Sequence, residues 1–151
     1  MKVVHEVSVA DKNTRVRFFG PEDLGPRDWG REILVGHAPG LYTGKILEMR
    51  AGAKGGLQKH HFKDECGYVV EGTLIFRYDD GDGTLRERTL HAGDCVHIPP
   101  GAIHQEEAVT NCVIFEVSTP HFNDRVRMED EYGLESGGGL PSTAPDDVEV
   151  R

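Results

Sequence analysis

The stretch Gln58-Lys59-His60-His61-Phe62-Lys63-Asp64-Glu65 places an amide, two imidazoles and two carboxylates within eight residues, and the apolar run Tyr68-Val69-Val70 follows it. Side chains two residues apart in a strand share a face, so Gln58 and His60 point the same way. A turn just before Glu65 would start the next strand with that carboxylate. Two neighbouring strands then aim an amide oxygen, an imidazole and a carboxylate at one point.

A second polar stretch, Gly93-Asp94-Cys95-Val96-His97-Ile98-Pro99-Pro100-Gly101-Ala102-Ile103-His104, lies further along the chain. Its Pro-Pro-Gly sequence bends the backbone shortly before His104, which can add a second imidazole. The predicted ligand set is therefore Gln58, His60, Glu65 and His104. Two nitrogens and two oxygens with one negative charge suit one divalent ion such as zinc, iron, manganese or nickel.

An alternative pairing of the first stretch places His61 in phase with Lys59 instead. This arrangement loses the Gln58 ligand and puts a cation in its place. We therefore prefer the set that contains Gln58 and His60.

Short β-rich segments recur about every 8 to 12 residues with turn signals between them, which is typical of an all-β barrel or sandwich. One such turn is Asp79-Asp80-Gly81-Asp82-Gly83, where Asp-Gly supplies the positive φ of a hairpin loop. We expect four regions: an N-terminal arm (1–32), a β-barrel (33–120), a closing segment (121–135) and a flexible acidic tail (136–151). Within the arm, residues 20–32 are expected to be irregular.

The composition excludes several classes of protein. A chain of 151 residues suits one domain, and its net charge of −9 offers no basic stripe for nucleic acid. Three cysteines without a close pair indicate free thiols in a reducing compartment. No segment has the apolar run of a signal peptide or a membrane span, so we expect a cytoplasmic protein without membrane contact.

Both polar stretches resemble the motifs of the cupin superfamily. Residues 93–104, with Pro-Pro-Gly and the final histidine, match the second motif, and residues 55–72 are similar to the first. The first motif usually contains a second histidine where Gln58 stands, and Ala108 replaces a frequent asparagine. The resemblance implies a double-stranded β-helix, or jelly-roll, barrel.

The departure at Gln58 resembles the mannose-6-phosphate isomerase type of cupin, in which Gln, His, Glu and a later His hold zinc. Zinc is therefore our first choice of metal. The resemblance implies aldose–ketose isomerisation of a sugar or sugar phosphate through a metal-stabilised enediolate. Further fragments resemble bacterial isomerase domains: Trp29-Gly30-Arg31-Glu32, Tyr42-Thr43-Gly44-Lys45, Phe115-Glu116-Val117 and residues 124–133.

Other charged residues are assigned by strand phase or by charge. Glu48 is the candidate base and Lys63 the second catalytic candidate, while Lys45 and Arg77 are the predicted substrate-binding cations. Glu116 could line the interior or face water, and the sequence leaves this open. We expect Lys54 to be a further phosphate-binding cation. We expect His97 to lie outside the barrel, at a subunit contact.

Two other functions remain open at this point, because cupin folds host many chemistries. One is an iron-dependent dioxygenase, which would need an apolar pocket. The other is a non-catalytic sugar-binding or regulatory barrel. We also expect a homodimer, because exposed edge strands invite pairing.

Overall fold

The computed structural model describes residues 15–136 and 138–151, and its regular structure is almost entirely β. The strands are β1 (Glu22–Arg27), β2 (Gly30–Ala38), β3 (Tyr42–Met49), β4 (Gln58–Lys59), β5 (Glu65–Glu71), β6 (Thr73–Asp79), β7 (Leu85–His91), β8 (Cys95–Ile98), β9 (His104–Ala108), β10 (Cys112–Ser118) and β11 (Val126–Arg127). Two short 3₁₀ helices, Glu129–Tyr132 and Pro145–Asp147, follow them. Across the described ranges, no helix combines the length and apolarity needed to cross a membrane.

Two antiparallel sheets form the barrel, as predicted for a jelly roll. One sheet has the order β1-β2-β3-β10-β5-β8, and the other has the order β11-β4-β9-β6-β7. Strands that are distant in the sequence are neighbours, since β10 lies between β3 and β5. Such pairing places residues from both ends of the chain around one interior.

The interior is apolar at one end and polar at the other. In the pairing of β3 with β10, Met49 faces Cys112 and Leu47 faces Ile114, whereas Lys45 faces Glu116. The Thr43–Ser118 pair follows in the same direction. Because the side-chain period of a strand is two, all these residues point inward. The first two pairs belong to the apolar core, so the polar end is where chemistry can occur.

Residues 20–32 were predicted to be irregular, but the structure differs. Strands β1 and β2 form a hairpin at the edge of the six-stranded sheet. Proline is tolerated there because an edge strand need not donate every N–H group, and the register shifts between Asp23 and Pro26. Trp29 packs against the core. Residues 1–14 lie outside the described part of the chain.

The C-terminal residues predicted as a flexible acidic tail (136–151) include several that are hydrogen-bonded to the preceding chain. The Phe122 N–H donates to the Glu149 carbonyl, and the Gly40 N–H donates to the Arg151 carbonyl. The Thr143 N–H also donates to the Arg125 carbonyl. This segment has too few apolar residues for a core of its own, but backbone hydrogen bonds attach it to the barrel.

Gly72 makes the tight turn between β5 and β6, and we predict that Gly72→Ala destabilises the fold strongly. Its φ is +92°, and an added Cβ would lie 2.2 Å from the Asn111 carbonyl oxygen. Gly81 is a matched control, since its φ is +100° with nothing within 4 Å. We expect losses in unfolding free energy of roughly 1 kcal/mol for Gly81→Ala and roughly 3 kcal/mol or more for Gly72→Ala. Urea unfolding measures both, and equal losses would contradict the steric argument.

Candidate metal centre

Three predicted ligands, His60, Glu65 and His104, meet inside the polar end of the barrel. Their exposed fractions are 3%, 4% and 4%, and their ligand atoms all lie within 4.8 Å of one another. His60 begins the ligand loop (residues 60–64) that follows β4, Glu65 begins β5 and His104 begins β9. The sequence prediction that both polar stretches contribute to one cluster is confirmed for these three.

The spacing of the cluster fits a metal ion. Glu65 Oε1 lies 3.3 Å from His60 Nε2 and 3.5 Å from His104 Nε2. Ligands at metal distances of about 2.1 Å in tetrahedral geometry are separated by roughly 3.4 Å. The observed separations therefore match the edges of a metal coordination shell.

Both histidines are oriented by backbone carbonyls. His60 Nδ1 contacts the carbonyl oxygen of Asp124, and His104 Nδ1 lies 3.0 Å from the carbonyl oxygen of Ala102. An Nδ1–H that donates to a carbonyl leaves the Nε2 lone pair free, which is the usual arrangement of metal-binding histidines. Burial also lowers the pKa of His104 to about 4, so its ring is neutral at pH 7.

Asp124 fixes the loop that carries the first histidine. Its carboxylate accepts hydrogen bonds from the backbone N–H groups of His61, Phe62 and Lys63 at 2.7–2.8 Å. Together with the carbonyl contact to His60, Asp124 holds four consecutive residues. No local sequence pattern identifies this role, because the partners are more than 60 residues apart.

Glu65 divides its two oxygens between different partners. Oε1 faces the imidazoles, whereas Oε2 forms an ion pair with the Lys63 ammonium group. Burial opposes the charge on Lys63, but Glu116 and Glu65 outweigh this effect and raise its pKa. Lys63 therefore lies at the site as a permanent positive charge beside a ligand.

Glu116 belongs to the interior, which answers the question the sequence left open. Its Oε1 lies 3.7 Å from Lys63 Nζ, and that oxygen is buried without a hydrogen-bond partner in the described part of the chain. Burial raises the pKa of Glu116, and the neighbouring Glu65 charge raises it further. The site thus keeps one carboxylate charged by making another harder to ionise.

Gln58 lies beside the cluster on the same face as His104. These two residues are directly paired between β4 and β9, and paired residues in antiparallel strands point to one side. Gln58 also lines the cavity into which the cluster opens. His61 points elsewhere, with Nε2 2.9 Å from the Thr143 carbonyl oxygen, so the alternative pairing with Lys59 is wrong. Gln58 as the fourth ligand remains a prediction.

The cluster opens into a cavity of about 310 Å³ with a strongly polar wall. Glu106 lies on this wall, two residues after His104 on β9 and on the same face of the strand. Burial raises its pKa to about 8, and Glu65 and Glu116 add to the shift. Glu106 was not among the predicted site residues, although its position two residues after His104 in a strand indicates that both side chains lie on one face.

Glu48 and Arg77 were predicted as site residues, but the structure places both outside the cavity. Glu48 lies on the outer face of β3, 2.6 Å from the Arg31 guanidinium, with 42% of its side chain exposed. Arg77 lies on the outer face of β6 and pairs with Glu87 at 2.8 Å and Glu107 at 2.5 Å. Neither lines the cavity, because the inner positions of these strands belong to the alternate residues.

The other predicted cations differ in their availability. Lys45 is buried at the cavity wall, 2.7 Å from Glu32 and above the Phe122 ring. Lys54 lines the cavity with an exposed side chain. His97 lies outside the barrel as predicted, 2.8 Å from Asp64.

Comparison with known proteins agrees with this architecture. Residues 45–118 match the family model for the cupin domain, Cupin_2. No curated protein has a significant match to the sequence. The solved structure of KdgF from Halomonas sp. has 22% identity and a TM-score of 0.53, covering 62% of this chain and 80% of that chain.

Two longer proteins contain a similar barrel. The capsular polysaccharide assembling protein CapF from Staphylococcus aureus has 21% identity and a TM-score of 0.64, covering 73% of this chain and 32% of that chain. Oxalate decarboxylase from Bacillus subtilis, a protein with Mn(II) centres, has 18% identity and a TM-score of 0.60, covering 72% and 30%. This chain thus spans about a third of their length, and such identities show the fold alone.

We predict that His104→Ala lowers the metal content of the purified protein at least several-fold, because it removes a buried nitrogen ligand. Gln58→Ala should also lower it several-fold if the amide is the fourth ligand. His97→Ala is the control, since that histidine is exposed and paired with Asp64. Elemental analysis and calorimetric titration with zinc measure the effect. Normal metal content in both His104→Ala and Gln58→Ala would contradict the proposed ligand set.

Proposed function

We propose that this protein, whose residues 45–118 match the cupin domain family, is a metal-dependent enzyme of the isomerase class that acts on a sugar or sugar derivative. The observation that carries the proposal is the position of Glu106 beside three converging ligands. A carboxyl group whose pKa is about 8 can both take up and release a proton near neutral pH. Aldose–ketose isomerisation through an enediolate uses such a group, since a proton then moves between neighbouring carbons.

His60, Glu65 and His104 would hold the metal, with Gln58 as the fourth ligand. The set suits zinc, iron, manganese or nickel. When bound, the metal would supply Lewis-acid polarisation of a carbonyl or hydroxyl oxygen. Lys63 fixes the ligand carboxylate by its ion pair with Glu65 Oε2.

Glu106 is the proposed proton carrier, in place of Glu48. In its ionised form it accepts the proton from a substrate C–H bond, and it then returns that proton to the neighbouring carbon. The hydroxyl proton of the substrate passes to the neighbouring oxygen in the same reaction, and Glu106 ends as the carboxylate with which it began, so no oxidant or reductant is needed. A cation at the ligand cluster would favour the ionised form of Glu106.

The polar cavity supports a hydroxyl-rich substrate. Lys45, Glu32 and Gln105 lie on its wall together with the ligand cluster, and they offer both donors and acceptors to sugar hydroxyl groups. A dioxygenase with an apolar substrate would need a different lining. A non-catalytic binding protein would use the same wall, so turnover is the discriminating measurement.

We predict that Glu106→Gln lowers kcat by roughly 100-fold or more while metal content stays normal. Glu107→Gln is the matched control, because its side chain lies on the opposite face of β9 and pairs with Arg77; kcat should change less than about twofold. Free sugars, sugar phosphates and sugar acids are screened in D₂O by NMR, where a proton carrier introduces deuterium beside the carbonyl. In the wild type, kcat should rise with pH through a limb at or below pH 8.

Two outcomes would contradict this function, and a third would contradict the role of Glu106. Tight sugar binding without turnover or deuterium exchange would indicate a binding protein. Oxygen uptake by an iron-loaded sample would indicate an oxygenase. Isomerisation that is unchanged in Glu106→Gln would remove Glu106 from the mechanism.

The homodimer is also part of the proposal. Phe115 and Tyr68 are paired on the outer face of the six-stranded sheet, and both are exposed, as are Val70 and Val117. An apolar patch of this kind on a sheet is typical of a subunit contact. Phe115→Asp should therefore convert a dimer to a monomer in analytical ultracentrifugation, and a monomeric wild type would exclude the contact.

A further inference from the structure

Arg125 lies on the cavity wall without a direct ion pair to the described part of the chain. It is half-buried between Asp124 and β11, and it lines the same cavity as the ligand cluster. Its backbone carbonyl accepts a hydrogen bond from Thr143 N–H, which fixes the main chain. Its guanidinium group, however, forms neither a hydrogen bond nor an ion pair with the described part of the chain.

The carboxylates around Arg125 are committed to other groups. Asp124 accepts three backbone hydrogen bonds from the ligand loop. Glu32 is shared between Lys45 at 2.7 Å and Arg27 at 3.0 Å. Glu129 pairs with the Arg127 guanidinium at 2.5 Å.

Of the three cations on this side of the cavity, Lys45 and Arg27 form ion pairs with Glu32, whereas Arg125 forms none with the described residues. Burial and the neighbouring Arg27 charge lower the pKa of Arg125, although Glu32 and Asp124 act in the opposite direction. Arginine remains charged in proteins, so a partly buried guanidinium needs an acceptor to offset its lost hydration.

We propose that Arg125 binds an oxyanion, a carboxylate or a phosphate, that is part of the substrate. A guanidinium group presents donors in a fork that matches either anion in a bidentate manner. The inference rests on the proposed function in one respect, namely that the same cavity receives the substrate. It adds that the substrate is an acidic sugar derivative rather than a neutral sugar.

The cavity size and the position of Arg125 fit one small molecule. A volume of about 310 Å³ is at the lower end for ligand sites. Arg125 directly follows Asp124, whose carbonyl contacts the His60 imidazole. An oxyanion at Arg125 and a reacting carbon near the ligand cluster can thus belong to the same compact substrate.

The test compares oxyanion binding by the wild type, Arg125→Gln and Arg125→Lys. Calorimetry would use inorganic phosphate, D-glucuronate and D-glucose 6-phosphate as probes, with neutral D-glucose as the reference. We expect an oxyanion probe to bind the wild type roughly tenfold to 100-fold more tightly than Arg125→Gln, with Arg125→Lys between them. Arg88→Gln, which changes an exposed arginine on β7, should bind like the wild type.

The probes also distinguish the two anions, since glucuronate and glucose 6-phosphate carry different groups on a similar ring. Equal affinity of wild type and Arg125→Gln for every oxyanion, or no oxyanion binding by the folded wild type, would overturn the inference. Metal content and melting temperature are measured on the same samples. A wild type that binds no metal but shows Arg125-dependent oxyanion binding would contradict the proposed function and leave this inference standing. A wild type that binds metal but shows no Arg125-dependent oxyanion binding would contradict this inference and leave the metal-dependent function standing.

Discussion

A carboxylate buried between two imidazoles and an ammonium group is the interaction on which the polar end of this barrel depends. An isolated charge in that position would be very costly, so Glu65 requires compensation on both oxygens. The Lys63 ammonium group compensates Oε2, while Oε1 faces the two imidazoles, where a cation could bind. Burial raises the pKa values of Glu106 and Glu116, and the ionised Glu65 raises them further. The charge on Glu65 therefore affects the protonation of both neighbouring carboxyl groups.

The barrel has an apolar half and a polar half, and the apolar half provides the core that supports the buried charges. Leu47, Met49 and Ile114 pack the closed half, while the inward positions one or two steps further along the same strands carry Lys45 and Glu116. Each strand thus contributes both to the core and to the site. A ligand cluster supported in this way is held by the same backbone hydrogen bonds that hold the sheets together.

The local parts of the site could be read from the sequence, whereas the choice of face and the long-range contacts could not. Glu48 was predicted as the base, but it lies on the outer face of β3. The reason is physical: the inner face includes Lys45 and the outer face includes Ile46, so hydrophobicity did not identify the interior. Arg77 was chosen for its charge alone, and charge does not report which face of a strand a residue occupies. Asp124 and Arg125 act through partners far away in the sequence, and no spacing rule reports such contacts.

The attachment of the ligand loop to Asp124 has a consequence for biosynthesis. The ribosome delivers His60 and Glu65 first, yet the carbonyl that orients His60 belongs to a residue 64 positions later. A nascent chain that has emerged only as far as β10 contains every first-stretch ligand and His104, but its loop has no anchor. The orientation of His60 seen in the folded protein therefore requires that the segment beyond the barrel has been translated and has folded back. Binding of a metal by the proposed ligands would then be a late event in the maturation of the polypeptide.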